Sequence, residues 1–213
     1  MLYENPRLTF TTTAKFTFVL LAIIVITLGA SDWADAQADP TAPAPVPATA
    51  PVGDQPFDKM MAVLTHKRCV NCHPAGDRPL QGEDSHIHNF NVQRGPDNHG
   101  VAALQCKACH QTENNPYSGV PGAPEWHLAP LSMRWEGLTR VEIAKSMLDP
   151  ERNGGRSLAE TVKHLTEHEL VLWAWEPGVD ANGKPRELPP VSKKDYIQAV
   201  KDWAAAGAVI PAE

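Results

Sequence analysis

The chain is poor in cysteine, in strand patterning and in positive charge, and each shortage narrows what it can be. Only four of its 213 residues are Cys, and none stands outside a close pair. A disulfide framework would spread its cysteines to bridge distant segments, which four clustered thiols do not do. No long alternating run of β-branched residues occurs, which argues against a sandwich or barrel. Lys and Arg total 19 against 25 Asp and Glu, a net charge of −6, and nucleic-acid binding selects basic surfaces instead. The apolar stretch at residues 16–30 has 15 residues, short of the roughly 20 that span a bilayer as a helix. No internal repeat is visible beyond one pentapeptide.

That pentapeptide holds every cysteine. It occurs as Cys69-Val70-Asn71-Cys72-His73 and again as Cys106-Lys107-Ala108-Cys109-His110. Cys-x-x-Cys-His is the attachment sequence of haem c. Two thiols about a helical turn apart can each form a thioether with a haem vinyl group. The adjacent histidine then supplies the proximal imidazole to iron. The expected cofactors are therefore two covalently bound haem c groups, attached at Cys69, Cys72, Cys106 and Cys109. His73 and His110 are the expected proximal ligands. A four-thiolate zinc site uses the same cysteines but has no need of a histidine after both pairs. A thioredoxin-like motif would sit in alternating strands and helices, which neither pair does.

The N-terminus predicts export. Arg7 and Lys15 precede the apolar stretch, and Ala34-Asp35-Ala36 reads as an A-x-A cleavage site, so residues 1–36 are expected to be a signal peptide. The alternative is an uncleaved anchor, the one route to membrane contact. Haem c attachment and clustered thiols suit an oxidising compartment outside the cytoplasm, so the expected location is the periplasm, free or tethered. Residues 37–56 are Ala/Pro-rich, with prolines at 40, 43, 45, 47, 51 and 56, and predict a semi-rigid linker. Without residues 1–36 the chain keeps 17 Lys and Arg against 22 Asp and Glu. That surface permits docking to a basic face on a redox partner protein, or simply keeps the protein soluble.

Residues 57–213 form the expected dihaem domain. Phe57, Met60, Met61 and Leu64 recur at i, i+3, i+4 and i+7, one face of a helix leading into the first motif. Residues 73–100 and 114–130 are rich in Gly, Pro, Asn and Asp and predict loops. A short helix over 101–111 is expected to carry the second motif. Thr139-x-x-Glu142 and Ser157-x-x-Glu160 read as capping boxes that open two helices. The first is expected to end at Asp149-Pro150, the second to run to Trp173 and Trp175 and stop before Pro177-Gly178. A last helix from Ser192 puts Tyr196, Ala199, Val200 and Trp203 on one face, with Gly207 at its C-terminal cap. The fold class is thus mostly α, cytochrome c-like, with helices, long haem-wrapping loops and little or no β.

Seven histidines remain for the distal positions. His88, in a polar loop between the motifs, and His127, in an apolar loop after the second, are the first candidates. His164 follows; with His168 it makes an i, i+4 pair that either binds metal or forms a solvated helix face. Met133 is the thioether candidate, and a His/Met pair would raise that haem's potential. His66, His86 and His99 are expected at the surface or behind a ligand.

The two motifs, together with residues 88–95 (His-Asn-Phe-Asn-Val-Gln-Arg-Gly) and 120–130 (Val-Pro-Gly-Ala-Pro-Glu-Trp-His-Leu-Ala-Pro), resemble a family of small exported dihaem proteins often labelled isoquinoline 1-oxidoreductase subunits. The resemblance runs over residues 69–211 and includes Asn153-Gly154-Gly155-Arg156 and residues 170–175. It implies two haem sites and suggests ligand roles for His88 and His127. More loosely, the layout is similar to the small dihaem subunits that feed periplasmic nitrate reductase. The helices before Cys69 and over 196–203 look like the terminal helices of single-haem cytochromes c, although the chain has no Met after Met147.

The expected function is electron transfer, as a carrier or as a subunit of an oxidoreductase. A haem enzyme of peroxidase or small-molecule reductase type, with one five-coordinate iron, is the second reading, and a haem-based sensor the third. N-terminal sequencing of protein exported by a secreting host is expected to begin at Gln37; a start at Met1 would mean the retained anchor.

Overall fold

The computed structural model describes Gly53 and residues 55–212. The expected signal peptide and nearly all of the expected linker lie outside these residues. Helix accounts for 38% of the described residues and strand for 6%, so the fold is mostly α.

Helix α1, Pro56–Leu64, opens with Pro at its first turn, where the missing N–H costs no hydrogen bond. Its expected apolar face is buried: Phe57, Met60, Met61 and Leu64, joined by Val63. One further turn, α2 (Lys67–Val70), carries Cys69 and is capped by His66, whose Nδ1 accepts from the Arg68 N–H. His66 is thus a largely buried cap (8% side-chain exposure) rather than a surface group.

The loops that follow are held by two small antiparallel hairpins. β1 (Leu80–Gln81) pairs with β2 (His86–Ile87), Leu80 opposite Ile87; β3 (Gly100–Val101) pairs with β4 (Leu104–Gln105), Gly100 opposite Gln105. The second hairpin overturns the helix expected over 101–111. Gly100 sits at φ 93°, and a Cβ there would lie 2.5 Å from the Leu104 carbonyl oxygen, so glycine is what lets the strands close. After it, the second motif forms only a 3₁₀ turn, Cys106–Ala108.

Helix α3 (Arg140–Leu148) and helix α4 (Leu158–Glu167) begin as expected. Thr139 and Ser157 each accept from the N3 amide while Glu142 and Glu160 reach back to the cap amide. Helix α4 does not run on to Trp175. The Thr166 hydroxyl back-bonds to the Val162 carbonyl at 2.8 Å, a bond that weakens a helix end, and His168 turns extended at ψ 124°. A separate turn α5 (Glu169–Leu172) and a 3₁₀ turn (Trp173–Trp175) follow.

Helix α6, Lys193–Ala205, is capped by Ser192 and buries Tyr196, Ala199, Val200 and Trp203, the expected four. Gly207, at φ 87°, and Ala208 close it through amide bonds back to Ala204 and Trp203. Helices α1 and α6 make the largest helix–helix contact, and α3 and α4 complete the core. Met60, Ala144, Tyr196 and Val200 are fully buried there. Among the described residues no helix is long and apolar enough to cross a membrane. Thr139→Ala and Ser157→Ala are each expected to lower unfolding free energy by about 1 kcal/mol, read as a fall in the urea midpoint at unchanged slope.

Candidate functional site

The first motif opens onto a cavity. Cys69 from α2, then Cys72 and His73, form part of its wall. Leu64, Met147, Leu165 and Val171 give it an apolar lining, and its empty volume, open mouth included, is about 950 Å³. The surroundings disfavour charge. Burial, helped by Cys72, pushes the Cys69 thiol up to about 12, and burial pushes Cys72 to about 11. Burial likewise drives the His73 imidazole down to about 4. A flat, mostly apolar group suits such a space.

His73 is oriented twice over. Its Nδ1–H donates to the Met133 carbonyl at 2.6 Å, and its ring stacks on Trp135 with centroids 3.6 Å apart and planes 9° apart. The first contact fixes the tautomer and leaves the Nε2 lone pair free for a metal. The chain is looped to make this possible: the Trp135 and Glu136 amides both donate to the His73 carbonyl, at 2.8 and 3.1 Å. Met133, expected as a thioether candidate, gives its carbonyl to His73 and, itself buried, also lines the cavity.

The second motif repeats the device with different residues. His110 Nδ1–H donates to the Pro121 carbonyl at 2.7 Å, and its ring stacks on Trp126 at 4.6 Å and 6°. The Pro121 carbonyl is held in place by its neighbour. Gly122 donates to Asn114 Oδ1 at 3.0 Å, and a Cβ on Gly122 would lie 2.2 Å from the Glu113 carbonyl oxygen. Only glycine fits that approach.

Facing His110 is His88, with ring centroids 6.0 Å apart and planes at 68°. His88 Nδ1 is also engaged, donating to the Asn89 carbonyl at 2.8 Å. Two imidazoles that share one metal through Nε2, at bonds of about 2.0–2.1 Å, have centroids roughly 6 Å apart. His88 and His110 are thus two imidazoles close enough to serve one bound group. Cys109, Lys107 and Ala108 are exposed, so this centre lies at the surface where the first is enclosed.

The first centre offers more than one partner to His73. His127, His164 and His168 all line the cavity. Burial holds His164, like His73, at about 4, so both are neutral imidazoles at ordinary pH. His127 stacks on His99 at 4.9 Å, and its Nδ1 is bonded to the Glu125 carbonyl. The i, i+4 pair His164 and His168 has centroids 4.8 Å apart and faces the cavity rather than solvent.

The two centres are joined. Cys72 and Cys106 are close enough that the second thiol raises the first. Trp126, stacked on His110, meets Trp173 edge-on at 4.9 Å, and Trp173 lines the first cavity. Asn114 Oδ1 also accepts from Trp173 Nε1, at 2.9 Å. Arg94, 6% exposed, donates to the carbonyls of Gly76 and Ala129 and to the Asn98 side chain.

The sequence did not single out Trp135 or Trp126 as supports of the motif histidines; for Trp126, a Trp in the Pro-rich loop 114–130 with no helix face to bury is the signal that was there. Among the described residues no group of three or more His, Cys, Asp or Glu converges as a bare-ion site requires.

His73 gives a pH dependence. Its folded value of about 4 lies below the ordinary 6.5, so the unfolded chain takes up the proton first. The metal-free chain is expected to keep full stability above pH 6.5 and to lose on the order of 3 kcal/mol through this group as pH falls to about 4, read from urea midpoints. No family model, curated protein or solved structure matches the chain.

Proposed function

We propose that the chain is an exported dihaem c-type cytochrome that carries electrons, either as a free carrier or as a subunit of an oxidoreductase. The carrying observation is the paired construction of the two Cys-x-x-Cys-His motifs. Each histidine has its Nδ1 on a backbone carbonyl, a Trp against its ring and Nε2 left free. A disulfide or a thiolate zinc site has no use for either feature. The helix pair α1 and α6 and the resemblance to small exported dihaem proteins fit the same reading.

Cys69, Cys72 and His73 would hold one haem, and Cys106, Cys109 and His110 the other. His88 is the distal ligand of the second centre. At the first centre His127, whose Nδ1 rests on the Glu125 carbonyl as those of His73 and His110 rest on theirs, would take that place, with His164 on the same cavity wall as the alternative. When bound, haem supplies a one-electron iron couple whose potential follows its axial ligands and their hydrogen bonds. The chain's own part is to hold two neutral imidazoles at each centre and to keep them still. The carbonyl bonds from Met133 and Pro121 raise the basicity of the proximal rings, and the stacked Trp side chains stop their rotation. The acidic surface fits docking on a basic face of the redox partner.

Protein made with cytochrome maturation machinery is expected to carry two haem mass increments and two low-spin irons that ignore cyanide and carbon monoxide. His88→Ala and His127→Ala should each turn one haem high-spin; the same change with His164→Ala in place of His127→Ala would give the first centre to His164. Colourless protein would sink the reading; a high-spin iron in the unaltered protein would favour the enzyme or sensor instead.

A further inference from the structure

The segment Asn153-Gly154-Gly155-Arg156 is built with more care than a helix connection needs. Asn153, 2% exposed, donates through Nδ2 to the Met147 and Arg156 carbonyls and accepts on Oδ1 from the Arg156 amide. Gly154 and Gly155 follow at φ 80° and 78°, two successive residues in a conformation that side chains rarely adopt. The Asn153 amide bonds back to the Asp149 carbonyl and that of Gly155 to the Pro150 carbonyl. The result is a rigid turn that delivers Arg156 to the wall of the first cavity.

Arg156 arrives there with its charge unanswered. One nitrogen donates to the Asn153 carbonyl at 2.6 Å. Among the described residues no carboxylate forms an ion pair with it. Glu160 is near enough to feel its charge but is bonded to the Ser157 amide and hydroxyl at the cap of α4. One turn into α4, Thr161 also lines the cavity. It is 5% exposed, and its hydroxyl has no hydrogen-bond partner. A buried hydroxyl left unpaired is costly, so a ligand is its natural partner.

We propose that Arg156 and Thr161 form a carboxylate-binding subsite on the wall of the first cavity. A guanidinium and a hydroxyl donor beside an apolar space is the donor set that a carboxylate requires. The carboxylate comes either from a propionate of the haem in that cavity, which rests on the function proposed above, or from a small free carboxylate that enters by the open mouth.

Haem-loaded full-length protein separates these outcomes. The midpoint potential of each haem is measured in the unaltered protein and in Arg156→Gln, Arg156→Lys and Thr161→Val, with and without acetate as the free probe. For a propionate, Arg156→Gln lowers the potential of one haem and leaves the other in place, because the oxidised iron loses a neighbouring positive charge. Thr161→Val moves the same haem the same way by less, and Arg156→Lys stays near the unaltered value. For a free carboxylate, acetate shifts one potential saturably in the unaltered protein and not in Arg156→Gln. Should Arg156→Gln fail to fold, the Thr161→Val and acetate measurements decide alone. Potentials unmoved in every folded variant, with no acetate effect, would overturn the subsite while two haem mass increments left the dihaem reading intact. An unaltered protein without haem would remove that reading and the propionate source together.

Discussion

Each candidate centre depends on one hydrogen bond: the Nδ1–H of the motif histidine to a backbone carbonyl, Met133 for His73 and Pro121 for His110. An imidazole with that proton committed has a single lone pair to offer, in a single direction. Much of the loop structure serves the bond. The 3₁₀ turn Leu131–Met133 presents one carbonyl, and the glycine-dependent turn at Gly122 presents the other. The stacked Trp135 and Trp126 then remove the remaining freedom of each ring. That two unrelated stretches of sequence arrive at the same arrangement argues that the arrangement is what matters, since their local folds have little else in common.

The centres differ in depth, and depth decides their electrostatics. The first is enclosed by helices α3 to α5 and the turn at Trp173, and its thiols and imidazole are all pushed toward their neutral forms. The second rests on a two-residue hairpin and a 3₁₀ turn with Lys107, Ala108 and Cys109 in solvent. An inner and an outer centre, linked by the Trp126–Trp173 contact, form an ordered pair. In the electron-transfer reading proposed above, the outer one is the natural place for exchange with another molecule.

Much of the helical frame was legible in the sequence. Capping boxes at Thr139 and Ser157, and the apolar periodicity of α1 and α6, are local signals that tertiary packing had no reason to override. The two Cys-x-x-Cys-His motifs stood out for the same reason, since their spacing is a local pattern. What failed was local as well. Residues 101–111 look like a short helix until Gly100 is seen to need a positive φ, and α4 reads as continuous until Thr166 bonds back on it. The carbonyl partners of the motif histidines were not legible, because a carbonyl acceptor has no sequence signature. His88, His127 and His164 stood out as candidates from the sequence, and the first lies by His110 while the other two line the cavity of the first motif.

Arg94 shows what such a design implies. Its guanidinium binds the main-chain oxygens of Gly76 and Ala129, drawing three loop segments together around one planar cation. Main-chain oxygens are present whatever residue occupies a position. The mutual spacing of these loops therefore hangs on one arginine and on backbone atoms, and the side chains at the two acceptor positions have no part in it.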